Sequence, residues 1–170
     1  VINTEENIIA ARNAFRDQNA HFLTAVLSGK YTDRYLTEQG ADAPVFTDAE
    51  MTTIASPLDF VGVNHYASTH IRAAADKPGG WEIVPAGSAY PRMTLPWFTI
   101  DPEHLYWTPR FLKELWNVPK VYIAENGCCA TDEVSRNGEI LDNDRIFFLR
   151  QHLRTVARTV AEGWPLKGYF

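Results

Sequence analysis

From Thr4 onward, apolar residues return at helical spacing through Ile8, Ala11, Phe15, Phe22 and Val26. Thr4 is placed to cap that helix, Glu5 and Glu6 suit the positive end of its dipole, and Gly29 ends it. Thr47-Asp48-Ala49-Glu50 has the form of a capping box and predicts a short helix reaching Ser56-Pro57. The period then changes. Phe60-Val61-Gly62-Val63 is apolar on both faces, as in a buried parallel strand, and runs out into the polar cluster Asn64-His65-Tyr66. Asp101-Pro102-Glu103 and Thr108-Pro109 each set a capper before a proline. They predict one helix or two in series that bury Phe111, Leu112 and Leu115, closed by Pro119. Val121-Tyr122-Ile123-Ala124 is the second buried strand and ends abruptly in Glu125-Asn126-Gly127. A helix opened by Asp142 follows, with Ile146, Leu149, Leu153, Val156 and Val160 as its expected core stripe and Gly163 as its stop; Leu166 begins a third strand.

Helices and strands therefore alternate, which builds a parallel sheet and leads to either a doubly wound fold or a (β/α)8 barrel. The Gly-rich turn of a doubly wound nucleotide binder and the P-loop are both missing from the sequence, so the barrel is preferred. Barrels place their chemistry just beyond the carboxyl ends of the strands, which makes Glu125 the best catalytic candidate, with Asn64 and Tyr66 at a neighbouring strand end. A barrel aldolase would need a Schiff-base lysine there, but Lys120 and Lys167 stand at strand starts, on the wrong face. The segment from Ala67 to Leu95 is too rich in Trp81, Ile83, Val84 and Tyr90 to be a linker, and a loop of that length inside a domain is usually functional.

Composition narrows the partners. The 170 residues are 45% hydrophobic, enough for one globular domain with a sizeable core. A net charge of -5 with scattered Lys and Arg leaves no basic stripe, so nucleic acid is not expected as a partner. No window approaches the roughly 20 apolar residues of a membrane span. Cys128 and Cys129 are adjacent and cannot form an ordinary disulfide; reduced thiols and a cytoplasmic setting are the expectation. The chain opens on Val1 without an initiator Met and stops within a strand, which reads as part of a larger protein.

Several ordered motifs resemble the family 1 glycoside hydrolases, the β-glucosidase family. Tyr122-Ile123-Ala124-Glu125-Asn126-Gly127 is similar to that family's nucleophile motif, and Leu58 through Tyr66 to its Asp-Phe-x-Gly-x-Asn-x-Tyr strand. Trp97, Pro102 to Trp107 and Gly163 to Phe170 match further segments in the right order, so nearly the whole chain is covered. The resemblance implies the C-terminal part of a (β/α)8 barrel, with the strands at Phe60, Val121 and Lys167 as the sixth, seventh and eighth. The family's Asn-Glu-Pro motif, which supplies the general acid/base, does not occur in the sequence.

What the resemblance implies is retaining hydrolysis of a β-glycoside, with Glu125 as nucleophile, Tyr66 orienting it, Asn64 lining the site and Trp97 as a stacking platform for the aglycone. No metal or organic cofactor is needed. The expected partners are a β-glucoside or oligosaccharide and a complementary N-terminal part of the barrel, or self-association through open sheet edges. The alternative is a catalytically incompetent fragment that serves as a sugar-binding or assembly module. His65, where relatives more often carry an apolar or aromatic residue, is expected to point away from the barrel mouth.

Overall fold

The computed structural model describes residues 2–170, and Val1 lies outside the described residues. These residues form two compact units.

The first unit comprises the chain up to Asp59, His70–Val84 and Glu114–Asn117. Helix α1 (Glu5–Ser28) begins where the Thr4 hydroxyl accepts the Asn7 amide and ends where Gly29, at φ 65, donates its amide to Ala25. The buried positions of α1 are alanines, Ala10, Ala14, Ala20 and Ala25, while Phe22 stays exposed. Small side chains bring the helix close to Ile71, and Trp81 packs against the same cluster. Helix α2 (Asp33–Gln39), capped by Thr32, lies in a stretch whose sequence reads as turns. Helix α3 (Asp48–Ile54) carries the complete capping box between Thr47 and Glu50.

The long segment after Ala67 contains an antiparallel hairpin that sequence periodicity does not show. Strands β2 (Ile71–Ala73) and β3 (Trp81–Ile83) pair around the tight turn Pro78–Gly80. Gly79 sits at φ 80 there, and a Cβ on it would meet the Trp81 Nε1 at 2.6 Å, so only glycine fits. Trp81 in turn donates to Asp17 of α1 at 3.1 Å.

The second unit comprises Phe60–Thr69, Pro85–Lys113 and Val118–Phe170. Strand β1 (Val61–Asn64), strand β4 (Val121–Glu125) and strand β5 (Leu166–Tyr169) form a parallel sheet in the order β1-β4-β5. Val63 pairs with Ile123 and Asn64 with Glu125, and the register slips between Val63 and Asn64. Helix α4 (His104–Trp116) is one helix with Pro109 inside it, and helix α5 (Asn143–Ala161) follows the polar loop.

One face of the sheet is covered: Leu105, Ile123 and Leu166 form a buried cluster against which Val63, Val156 and Tyr169 pack. The other face carries Phe60, Tyr122 and Phe170, whose rings meet edge-on or tilted, with Phe60 and Phe170 exposed. Gly168 of β5 faces Tyr122, and a Cβ there would lie 2.6 Å from the ring.

Helix α5 keeps Val156 of the expected core stripe against the sheet and corrects the rest. Ile146, Leu149, Leu153 and Val160 are exposed, while Phe148, His152, Thr155 and Thr159 are buried. The reason is hydrogen bonding at close approach: the single proton of the Thr159 hydroxyl is shared between the carbonyls of Leu105 in α4, at 3.1 Å, and of Thr155 within its own helix, at 2.8 Å. A threonine seam satisfied in this way can lie closer to α4 than a leucine seam would.

Candidate active site

Strands β1, β4 and β5 stop side by side, so the residues just past their carboxyl ends are neighbours in space. Glu125 closes the middle strand and is exposed. The Tyr66 hydroxyl, two residues beyond β1, donates to Glu125 Oε2 at 2.5 Å. Hydrogen bonding to Glu125 is the largest cause that raises the Tyr66 pKa above its ordinary value. The phenol therefore keeps its proton at neutral pH and stays a donor. A carboxylate held by such a donor is restrained in its orientation, as a nucleophile or general base requires.

Beneath this pair lies Asn126, which sequence reasoning did not single out beyond the motif that contains it. Its Nδ2 donates to the His65 carbonyl at 2.7 Å, and its Oδ1 accepts from the Tyr169 hydroxyl at 2.7 Å. The Tyr169 signal was present only as a tyrosine at a strand end. Asn64 pairs with Glu125 through the backbone, but its side chain is exposed and makes no hydrogen bond among the described residues.

Trp97 is 60% exposed and stacks on Phe98, with ring centroids 5.1 Å apart and planes 6° from parallel. Phe98 is buried and meets Tyr66 edge-on at 6.2 Å. Phe98 thus links Trp97 to the Glu125–Tyr66 pair. Its loop is held by Arg92, whose guanidinium donates to the carbonyls of Ala86, Gly87, Ser88, Tyr90 and Pro96. An open cleft of about 540 Å³ beside this loop is lined by Arg92, Thr94, Asn143 and Phe147 among others, and does not include Glu125 or Tyr66.

His65 points into the protein. Its ring stacks on His104 with centroids 4.2 Å apart and planes 2° from parallel, and His104 lies 5.4 Å from His152. Burial pushes the His65 pKa down to about 4, against the opposing pull of Asp101. Burial likewise lowers His104 and His152, the neighbouring imidazoles adding to the effect at His104. The three rings are therefore neutral packing groups, and no cluster of His, Cys, Asp or Glu suited to a metal is found among the described residues. Cys128 and Cys129 are free thiols, and no helix among the described residues is long and apolar enough to cross a membrane.

A carboxylate oriented by a phenol at the carboxyl ends of parallel strands stands where (β/α)8 barrels place their catalytic groups. A 1,4-beta-D-glucan glucohydrolase of Thermotoga neapolitana is 35% identical over 167 residues, covering 98% of this chain and 39% of that protein. Beta-glucosidase A of Thermotoga maritima is 34% identical and is matched over 98% of this chain and 37% of its own length. A solved family 1 β-glucosidase from Thermotoga maritima superposes with a TM-score of 0.76 at 32% identity, covering 100% of this chain and 38% of that one. The sequence model of glycosyl hydrolase family 1 matches residues 2–170, and the chain belongs to that family. It matches a partial portion of a (β/α)8 barrel and spans somewhat more than a third of the length of the relatives it matches.

Proposed function

We propose that this chain contributes the nucleophile half of a retaining β-glycosidase of β-glucosidase type. Glu125 attacks the anomeric carbon and the glycosidic bond breaks. The leaving oxygen takes a proton from a second carboxylic acid, which lies in another part of the barrel. That same group then removes a proton from water, and the hydroxide so formed displaces Glu125. Retention requires the two carboxyl groups to stand about 5–5.5 Å apart. Tyr66 orients the nucleophile, Asn64 lines the pocket, and Trp97 offers its exposed face to the aglycone. The single observation that carries this reading is the hydrogen bond from Tyr66 to Glu125.

The relatives named β-glucosidase support the substrate class, and one solved relative from Thermotoga maritima is a complex with the sugar-like molecule castanospermine. The open edges of β1 and β5, and the exposed rings of Phe60 and Phe170, support a further part of this proposal. They are completed by an N-terminal barrel segment or, in its absence, by self-association.

The experiment is trapping with a 2-deoxy-2-fluoro β-glucoside in a complete barrel that carries this segment, followed by peptide mapping. Label on Glu125 is expected, and label on any other residue overturns the assignment. Turnover of an aryl β-glucoside by the 170-residue chain alone should be absent and should appear on addition of an N-terminal complement. Tight sugar binding without turnover in both samples would favour the noncatalytic module instead.

A further inference from the structure

Asn126 joins all three strand ends. The residue before it is Glu125, and its amide reaches sideways to β1 through the His65 carbonyl and to β5 through the Tyr169 hydroxyl, each at 2.7 Å. His65 is held twice, because its own N–H donates to the Glu125 carbonyl at 2.9 Å. On the other side the Phe170 N–H donates to the Ile123 carbonyl at 2.9 Å. These bonds lie just beyond the point where the β1–β4 register slips, between Val63 and Asn64. The side-chain amide takes over where the backbone ladder becomes irregular.

The amide can sit only one way round. A backbone carbonyl accepts and never donates, so the NH₂ group must face His65, and the oxygen is left for the phenol of Tyr169. Burial is the largest cause that raises the Tyr169 pKa, so this phenol is a donor at neutral pH. At neutral pH no other side chain of this shape offers both a donor and an acceptor. Aspartate would turn an oxygen toward the His65 carbonyl, and alanine would leave both partners unpaired.

We propose that Asn126 is a positioning residue: its amide clamps the ends of β1, β4 and β5 and so fixes the Glu125 carboxylate against the Tyr66 hydroxyl. Tyr66 follows the doubly held His65 and Glu125 precedes Asn126, so each member of the pair is one peptide unit from the clamp. The proposal deepens the reading of Glu125 as nucleophile and rests on that reading only for its kinetic consequence.

The test compares N126D, N126A and Y169F with the parent, in the 170-residue chain and in a complete barrel that carries it. Circular dichroism checks that each variant is folded, and Y169F, which removes one bond and no backbone partner, gives a mild perturbation if the others are unfolded. Hydrogen exchange at the His65 amide should be slow in the parent and fast in N126A. In N126D the protection of that amide, relative to the intrinsic exchange rate at each pH, should be lost at pH 7 and regained near pH 5, where a carboxyl facing a carbonyl regains its proton and with it a donor. The Tyr66 phenol, followed by NMR of labelled tyrosine, should titrate above the ordinary range in the parent and fall back toward it in N126A.

In the complete barrel, kcat should fall about tenfold in N126D and N126A at pH 7 with KM little changed, and N126D should recover toward pH 5. Unchanged exchange and an unchanged Tyr66 titration overturn the clamp. Changed exchange with unchanged kcat overturns its positioning role. A parent barrel with no turnover at all defeats the glycosidase reading, while exchange and titration still decide on the clamp.

Discussion

The Tyr66 hydroxyl and Glu125 Oε2 stand 2.5 Å apart although the two residues are separated by 59 positions in sequence. Parallel pairing makes this possible, because β1 and β4 run in the same direction and end together. The phenol donates to the oxygen and stays protonated, so it restrains the carboxylate without neutralising it.

Replacing Tyr66 by Phe in the complete barrel should therefore lower kcat by about tenfold to a hundredfold, the worth of one hydrogen bond to a charged group. KM should change little. Steady-state kinetics with an aryl β-glucoside checks this, and a kcat equal to the parent's would remove Tyr66 from the site.

The stacked histidines make the second unit sensitive to acid. An unfolded imidazole charges near its ordinary pKa of 6.5, whereas folded His65 holds out to about 4 and His104 lower still. Below pH 6.5 the unfolded chain thus binds more protons, and stability present at neutral pH is lost as pH falls toward 4. At about 1.4 kcal/mol per pH unit, His65 alone removes about 3 kcal/mol over that range. Urea midpoints between pH 7 and 4.5 should drop steeply in the parent and less steeply in His65→Phe. Equal slopes would count against a neutral buried ring.

Gly168 should not tolerate a side chain. A Cβ would sit 2.6 Å from the Tyr122 ring, which lies between Phe60 and Phe170. Gly168→Ala should cost about 1–3 kcal/mol, as overpacking does. Urea titration of the single variants and of the double variant with Tyr122→Ala should reveal coupling, since the smaller side chain removes the collision.

Arg92 ties down the loop that carries Trp97 through five backbone carbonyls. A lysine has three donors on a tetrahedral head and cannot reproduce that planar fork. Arg92→Lys should open residues 86–96 to cleavage by a nonspecific protease. In a complete barrel, KM for an aryl glucoside should rise more than KM for an alkyl one. Equal protease resistance in parent and variant would show that the loop is held by other contacts.

Much of this structure is legible in the sequence where its cause is local. Thr4, Gly29 and the Thr47–Glu50 box act within a few residues of themselves, and the helix ends fall where they predict. The strands at Val61 and Val121 are likewise marked by their apolar runs. The β2–β3 hairpin is hidden because its strands are three residues each, too short for a period, and are fixed by packing on α1. The buried face of α5 is hidden because threonine looks polar until Leu105 supplies an acceptor. Glu125 and Tyr66 are visible as motif residues, but the work of Asn126 depends on His65 and Tyr169, which come from strands on either side of its own.

The gathering of carboxylate, phenol and amide on three adjacent strands has a consequence for recombination. A crossover placed ahead of Phe60 would transplant the Glu125 carboxylate together with the phenol and the amide that hold its strand end, as a preassembled cassette. Chimeras joined there should inherit this carboxylate geometry intact, and under the proposed function any differences in sugar preference among them should trace to the remainder of the barrel.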